Sequence, residues 1–443
     1  MPGSRRSILI IIVALVVFCQ FSGLAAARVY IDVTQPFSRR LPLAIPEFQP
    51  LAGSPQDPVG ADGAALLTKA LSFTGLFDIL NPKSFIGAPE PGKVNYAKWS
   101  KVGAELLIAC SYQVNGDNLT MECRLYDVVD KRLLTGRRYD GVRGDLPMMM
   151  YRFADEVMLA ITGERSVFST QIAFVGSRQA EKGAIKEIYL MSFDGASLKK
   201  ITSRGDITLY PAWSSDGKLL AYSSYLNRRP AIFVQALAGG SGKLVINKPG
   251  VNLTPVFQPN STNLAVSMSH TGRTNIFLVD IAGHILKHLT NGWGIDVAPA
   301  FSPNGKQMAY VSDRGGSPQI YVMDLASGQQ RRLTFGFKYC AAPDWSPRGD
   351  RIAFQAEIDG IFQICTIKPD GSGAQVLTGG YGAKEDPSWS PDGRLIAYAG
   401  RQTGRYQIYV MTSNGQSISR LTSLPGEQTD PAWSPRGVSR PLD

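Results

Sequence analysis

The sequence predicts a six-bladed β-propeller preceded by a smaller α/β domain, and three observations predict it. Prolines stand at Pro211, Pro255, Pro299, Pro343, Pro387 and Pro431, each 44 residues from the last, and two positions after them come Trp213, Phe257, Phe301, Trp345, Trp389 and Trp433. A period in the forties, built from short strand-like runs and turn residues, is what a chain of four-stranded propeller blades writes. The repeat region also begins and ends on complementary half-repeats, and the residues ahead of it carry no such period.

The N-terminus reads as a secretion signal over residues 1–27. Arg5 and Arg6 precede an apolar run from Ile8 to Phe21, and Ala25-Ala26-Ala27 offers a small-residue cleavage site, so the mature chain is expected to start at Arg28. The run is short for a spanning helix, although an uncleaved anchor is the alternative. Cys19 follows Phe18, which is too large for a lipid-attachment site.

Residues 28–165 are expected to form the α/β domain. Arg28 to Val33 has strand character but lies between the cleavage site and Gln35-Pro36, so a fixed strand and a mobile terminus both remain open. Leu41 to Phe48 reads as a strand, Asp62 to Leu71 as a helix and Tyr96 to Val102 as a second, shorter one. Leu106 to Val114, Leu119 to Val128 and Leu133 to Tyr139 then form a meander, and Leu146 to Thr162 a closing helix ended by Gly163. That helix carries Met148, Met149, Met150, Phe153, Val157, Met158 and Ile161 at helical spacing, a stripe that reads as core rather than as a ligand groove.

Residues 166–443 are expected to form the propeller. After each aromatic comes a turn such as Ser390-Pro391-Asp392-Gly393, where proline presets one dihedral and glycine accepts a positive one. An apolar second strand follows with a small residue at its centre, Ala221, Ala265, Ala309, Ala353 or Ala397, where a bulky side chain would hold blades apart. Eleven residues later an Ile opens the third strand, and fourteen after that a Thr closes the fourth, except where Ile246 stands in its place. The last repeat has only its first strand, and the missing three lie upstream at Gln171 to Val175, Glu187 to Met191 and a run ending at Thr202. Joining them closes the ring and removes the open edges that a solenoid would need to cap.

Charge and cysteine content narrow the function classes. The net charge is +10, from 46 basic and 36 acidic side chains. It includes no dense Lys/Arg run, so a solvated basic surface is favoured over a nucleic-acid or lipid patch. Of the mature cysteines, Cys110 and Cys123 flank Asn115-Gly116-Asp117-Asn118; a two-residue turn there would set them opposite each other and permit a disulfide, and another register would abolish it. Cys340 and Cys365 fall two strand spacings apart in one blade, which is too far for a bridge.

Catalytic constellations are scarce. Only His270, His284 and His288 occur, no serine sits in a nucleophile elbow, and no HExxH accompanies the paired histidines. Gly239-Gly240-Ser241-Gly242-Lys243 imitates a phosphate loop, but Leu244 replaces the hydroxyl residue and the repeat phase makes it a hairpin turn. No catalytic residue, cofactor or metal is expected. The six loops before the prolines should instead surround the channel mouth, and Trp293, Phe337 and Tyr381 hold one phase in three of them. They would either form a binding arc or tuck between blades.

With leader, α/β domain and propeller in that order, the chain resembles the TolB family, periplasmic members of the Tol-Pal cell-envelope system. The matching residues are Arg28-Val29-Tyr30-Ile31-Asp32, Pro387-Ser388-Trp389-Ser390-Pro391-Asp392-Gly393 and its repeats, Ile320-Tyr321-Val322-Met323-Asp324, and Pro431-Ala432-Trp433-Ser434-Pro435. The resemblance implies a periplasmic, non-catalytic protein that binds the peptidoglycan-associated lipoprotein Pal at the propeller mouth and TolA through its mature N-terminus, supporting outer-membrane integrity and constriction at division. Carried onto this chain, the Pal face comprises Ile207, Tyr210, Val251, Thr254, Ile295, Ala298, Tyr339, Ala342, Ala383, Asp386, Glu427 and Asp430, with the aromatic arc beside it. The TolA segment comprises Arg28, Val29, Tyr30, Ile31, Asp32, Val33 and Thr34. A glycan-binding or scaffold propeller, or a propeller-linked peptidase remnant, are the alternatives.

Overall fold

The computed structural model describes residues 40–436 apart from 52, 86, 88, 90–92, 182 and 270–271. The expected leader, the segment Arg28 to Thr34, and His270 therefore lie outside the described residues. The first sheet contains β1 (Leu41–Ala44), β2 (Gln49–Pro50), β3 (Phe77–Ile79), β4 (Leu106–Asn115), β5 (Asn118–Asp127) and β6 (Arg132–Val142). Its order is β3-β1-β4-β5-β6, with β2 also on β4; β1 runs parallel to both neighbours and β4 to β6 form the expected meander. The strand expected over Leu41 to Phe48 stops at Ala44, since Pro46 has no N–H to give a ladder. The three-residue β3 is too short to show an alternation and escaped the sequence reading.

Among the described residues three α-helices accompany this sheet: α1 (Val59–Ser72), α2 (Tyr96–Lys101) and α3 (Leu146–Thr162). Gly163 ends α3 in the left-handed region at φ 79°, which a residue with a Cβ resists, and its N–H reaches the Leu159 carbonyl at 2.9 Å. The α3 stripe is core: Met149, Met150, Phe153, Val157 and Met158 are buried with Leu67 and Leu71 of α1 and with Cys110, Met121 and Leu125 of the sheet. Cys110 and Cys123 face each other across β4 and β5 and are joined by a disulfide.

Six four-stranded sheets follow. The inner strand of each has six residues with proline fourth: Thr208–Trp213, Asn252–Phe257, Asp296–Phe301, Cys340–Trp345, Lys384–Trp389 and Gln428–Trp433. We number the blades one to six by these strands. Blade six is composite, because Gln428–Trp433 pairs with Gln171–Ala180, which leads on to Gly183–Ser192 and Leu198–Lys200.

The 44-residue period has a packing cause. Each blade's central alanine shares a core with the next blade's aromatic: Ala221 with Phe257, Ala265 with Phe301, Ala309 with Trp345, Ala353 with Trp389 and Ala397 with Trp433. Ala173 and the half-buried Trp213 complete the ring. Burying a large apolar side chain is worth about 1.5–3 kcal/mol, so every junction draws on the same contact. The fourteen-residue Ile–Thr spacing is a hydrogen bond. Thr290, Thr334, Thr378 and Thr422 accept from the N–H of Ile276, Ile320, Ile364 and Ile408 at 2.9–3.0 Å, and Thr202 does so for Ile188. Blade one, with Ile246, pairs Ile232 through a shifted register instead.

Cys340 and Cys365 are unbridged and buried in blade four, and burial pushes both thiols up to about 12. The sheet domain docks on blades five and six through one continuous apolar core. Phe193 is its plug, meeting Phe73, Tyr151 and Phe168 edge-on at 5.2–5.7 Å. Polar ties surround it: Asp194 accepts from Lys69 at 2.7 Å and from the Tyr151 hydroxyl at 3.0 Å, and Glu164 accepts from Arg394 at 2.9 Å.

Candidate functional site

The inner strands build the site because of where their prolines fall. Pairing with the second strand shifts register between the second and fifth residues of every inner strand, for example between Leu209 and Ala212. Proline cannot donate, so proline and the residue before it bulge out of the ladder. That preceding residue takes a positive φ in all six blades: Tyr210 55°, Thr254 49°, Ala298 52°, Ala342 46°, Asp386 53° and Asp430 50°. Six non-glycine residues held this way line one channel together with the six prolines, enclosing about 410 Å³.

Side chains of the same or the preceding blade hold several of these residues in place. Ser267 of blade two shares a hydrogen bond with the Thr254 hydroxyl at 2.7 Å and accepts from the Ala298 N–H at 3.2 Å; Gln355 accepts from the Asp386 N–H at 2.9 Å. The wall is chemically lopsided. Blades three and four contribute alanines, whereas blades five and six contribute Asp386 and Asp430 beside the Tyr210 phenol of blade one. Burial first, then Asp430 and Glu385, raises the Asp386 carboxyl well above its ordinary value, and burial likewise raises Asp430. Tyr210 is raised as well, by burial and then by the two carboxylates. Asp344, which follows Pro343, accepts from the Trp389 N–H at 2.7 Å, but burial pushes it up to about 7.

Around the mouth stand the residues four before each proline. Ile295 is 53% exposed and Tyr339 37%, while Ile207, Val251, Ala383 and Glu427 are half-buried. Their carbonyls, except that of Ile295, accept from the end of the second strand, as Val251 does from Ser269 at 3.1 Å and Glu427 from Ser177 at 2.8 Å. Glu427 also accepts from the Tyr406 N–H, and the Tyr406 hydroxyl donates to Glu385.

The aromatic phase is split by the structure. Trp293 is 87% exposed with the Arg273 guanidinium 4.8 Å from its ring, and Tyr381 is 80% exposed. Phe337 instead packs edge-on against Phe354 at 5.7 Å, so it does not stand in the arc. Phe335, two residues earlier in the same loop, is 67% exposed with the Arg332 guanidinium 4.8 Å from its ring. Phase alone does not distinguish the two rings, because residues two apart share a face under strand alternation.

Sequence reasoning also missed what anchors the loops. The first residue of each inner strand is buried, and in five of the six, all but Cys340, it is polar. Lys384 donates to the carbonyls of Gly379, Gly380 and Tyr381 at 2.8–3.2 Å, which fixes the loop carrying Tyr381. Asp296 binds Arg314 through both oxygens at 2.9–3.0 Å, and Asn252 donates to the Lys248 carbonyl at 2.7 Å. His284 pairs with Asp280 at 2.9 Å, and among the described residues no cluster has the makings of a metal site.

Comparison with known proteins adds the following. Residues 29–134 match the family described as TolB amino-terminal domain, and residues 159–437 match that described as TolB beta propeller domain. The chain is similar to a Tol-Pal system protein TolB of Desulfosudis oleivorans, 41% identical over 236 residues that make up 52% of each chain. Its counterpart in Syntrophotalea carbinolica is 38% identical over 198 residues, 44% of this chain and 45% of the relative. The chain thus spans about half the length of the curated relatives it matches. The crystal structure of TolB from Acinetobacter baumannii superposes with a TM-score of 0.78 at 27% identity, over 90% of this chain and 97% of that one.

Proposed function

This chain belongs to the TolB family, and from that premise we propose that it is a non-catalytic, periplasmic component of the Tol-Pal system. In this reading the channel mouth binds the peptidoglycan-associated lipoprotein Pal, and Arg28 to Thr34 engages TolA. The protein then helps to maintain the outer membrane and to draw it inward at division. The observation that carries the reading is the union of both family domains in one chain, amino-terminal domain first and propeller second. The mouth is suited to a protein partner: exposed Trp293, Phe335 and Tyr381 offer rigid apolar area, and the arginines stacked on the first two supply directional donors.

The test is a pull-down from detergent-solubilised envelope with residues 28–443 as bait, beside a Trp293→Ala/Tyr381→Ala variant checked for an unchanged melt. Recovery of a peptidoglycan-associated lipoprotein by the parent, with loss of about tenfold or more in the variant, is the expected result. Equal recovery by both would keep the partner and move its footprint to the Asp386 and Asp430 side. Recovery by neither would overturn the reading in favour of a glycan-binding propeller.

A further inference from the structure

The junction between blades six and one leaves an open cleft. At three other junctions a turn glycine lies close against a carbonyl of the preceding blade, whereas Gly328 of blade three has nothing within 4 Å. A Cβ on Gly195 would come 2.4 Å from the Leu421 oxygen, on Gly283 2.3 Å from that of Val245, and on Gly415 2.5 Å from that of Leu377. The corresponding turn of blade one is the phosphate-loop imitation, and Gly239 and Gly240 have nothing within 4 Å. The Gln235 amide donates to the Ile201 carbonyl across this gap at 3.5 Å and to the Gly240 carbonyl of its own blade at 2.9 Å. A cleft of about 550 Å³ remains, lined by the Ile201 to Asp206 crossover, by Tyr222 and Tyr225, and by Gly240 to Gly242. That volume lies within the range of small-ligand sites.

Its chemistry is specific. Arg204 lies in the cleft with its guanidinium 3.7 Å above the Phe233 ring centroid, and among the described residues it has no ion pair. Stacking fixes the plane of the guanidinium, which also hydrogen-bonds the Tyr222 phenol, and its remaining N–H groups suit a carboxylate. Ser203, Ser241 and Tyr225 add hydroxyls that have no side-chain partner among the described residues. The one acid in the lining, Asp206, accepts from the Ile207 N–H at 2.7 Å through one oxygen. The four glycine-rich residues at the floor make room: a Cβ on Gly242 would collide with the Tyr222 hydroxyl.

We propose that this cleft is a second binding site, separate from the channel, for the carboxylate of a small ligand, with Arg204 as its anchor and Ser203, Ser241 and Tyr225 as hydrogen-bonding rim. A peptide C-terminus and a sugar acid share that chemistry. Calorimetric titration of residues 28–443 with acetyl-alanyl-alanine and with N-acetylmuramic acid separates the two sources, and acetyl-alanyl-alanine amide and N-acetylglucosamine serve as uncharged counterparts. Saturable binding of at least one acid is expected, weakened about tenfold or more by removing the ligand's charge or by Arg204→Gln. Ser241→Trp, at the exposed rim, should block the cleft without touching the core, and amide shifts on binding should centre on Gly240 to Gly242. No saturable response up to about 10 mM, or equal responses from acid and amide, or an Arg204→Gln variant of unchanged melt that binds as the parent does, would overturn the proposal.

Discussion

A proline at the fourth position of every inner strand has consequences for individual carboxylates. It turns Asp344, Asp386 and Asp430 toward a confined channel where their charge is poorly hydrated, and all three are displaced upward. The unfolded chain releases the Asp344 proton near 3.8, whereas the folded protein keeps it up to about 7. Between those limits the folded state holds a proton that the unfolded state has lost, so stability falls as pH rises through the window and the penalty is complete above it. Asp344→Asn cannot ionise and still offers an oxygen to the Trp389 N–H. It should melt higher than the parent at about pH 8, by about 2–4 °C per kcal/mol relieved, and no higher at about pH 3. Scanning calorimetry at the two pH values checks this, and an equal pH dependence in both proteins would refute the assignment. None of this was legible in the sequence. The bulge needs the partner strand to be seen, and an aspartate beside proline reads equally well as a turn residue.

At the level of elements, periodic contacts were legible and aperiodic ones were not. The Ile–Thr spacing and the central alanines repeat, so each copy vouches for the others, and the composite blade follows from where that repeat is incomplete. The anchors of the mouth loops differ from blade to blade, a lysine here and an Asp–Arg pair there, and no period reveals them. The hairpin of β4 and β5 lies between these cases. Its two-residue turn set the register that brings Cys110 opposite Cys123, an outcome the sequence left open because one residue of slip would undo it. A bridge closing 13 residues of chain stabilises by about 3 kcal/mol. Reduction under conditions that leave the fold intact should therefore lower the denaturant midpoint, whereas a Cys110→Ala/Cys123→Ala variant should show no further response to reductant. An identical midpoint for oxidised and reduced protein would mean that the bridge contributes nothing.

For the whole molecule, the decisive feature is that the sheet domain and blades five and six share one core, with Phe193 inserted between α1 and α3. Those are also the blades that carry the acidic side of the channel wall. A partner that repacks the mouth there has a packed route toward the sheet domain, and two sites so linked exchange binding free energy in both directions. Saturating the mouth with Pal is expected to change the affinity for TolA by about fivefold or more, measured by titration with and without Pal. Phe193→Ala should shrink the difference while sparing binding at the mouth. Equal TolA affinities in the parent would dismiss the coupling.

The composite blade also bears on how the protein comes into being. Gln171 donates to a serine 263 positions further along, so the ring cannot shut until the strand Gln428–Trp433 has been synthesised. An interrupted translation product is thus an open horseshoe. Its Gln171–Ala180 edge presents a bare ladder, the kind of surface on which proteases and sticky neighbours act. The latch serves as a proofreader of completeness, since only a chain carried through to its final blade conceals that edge.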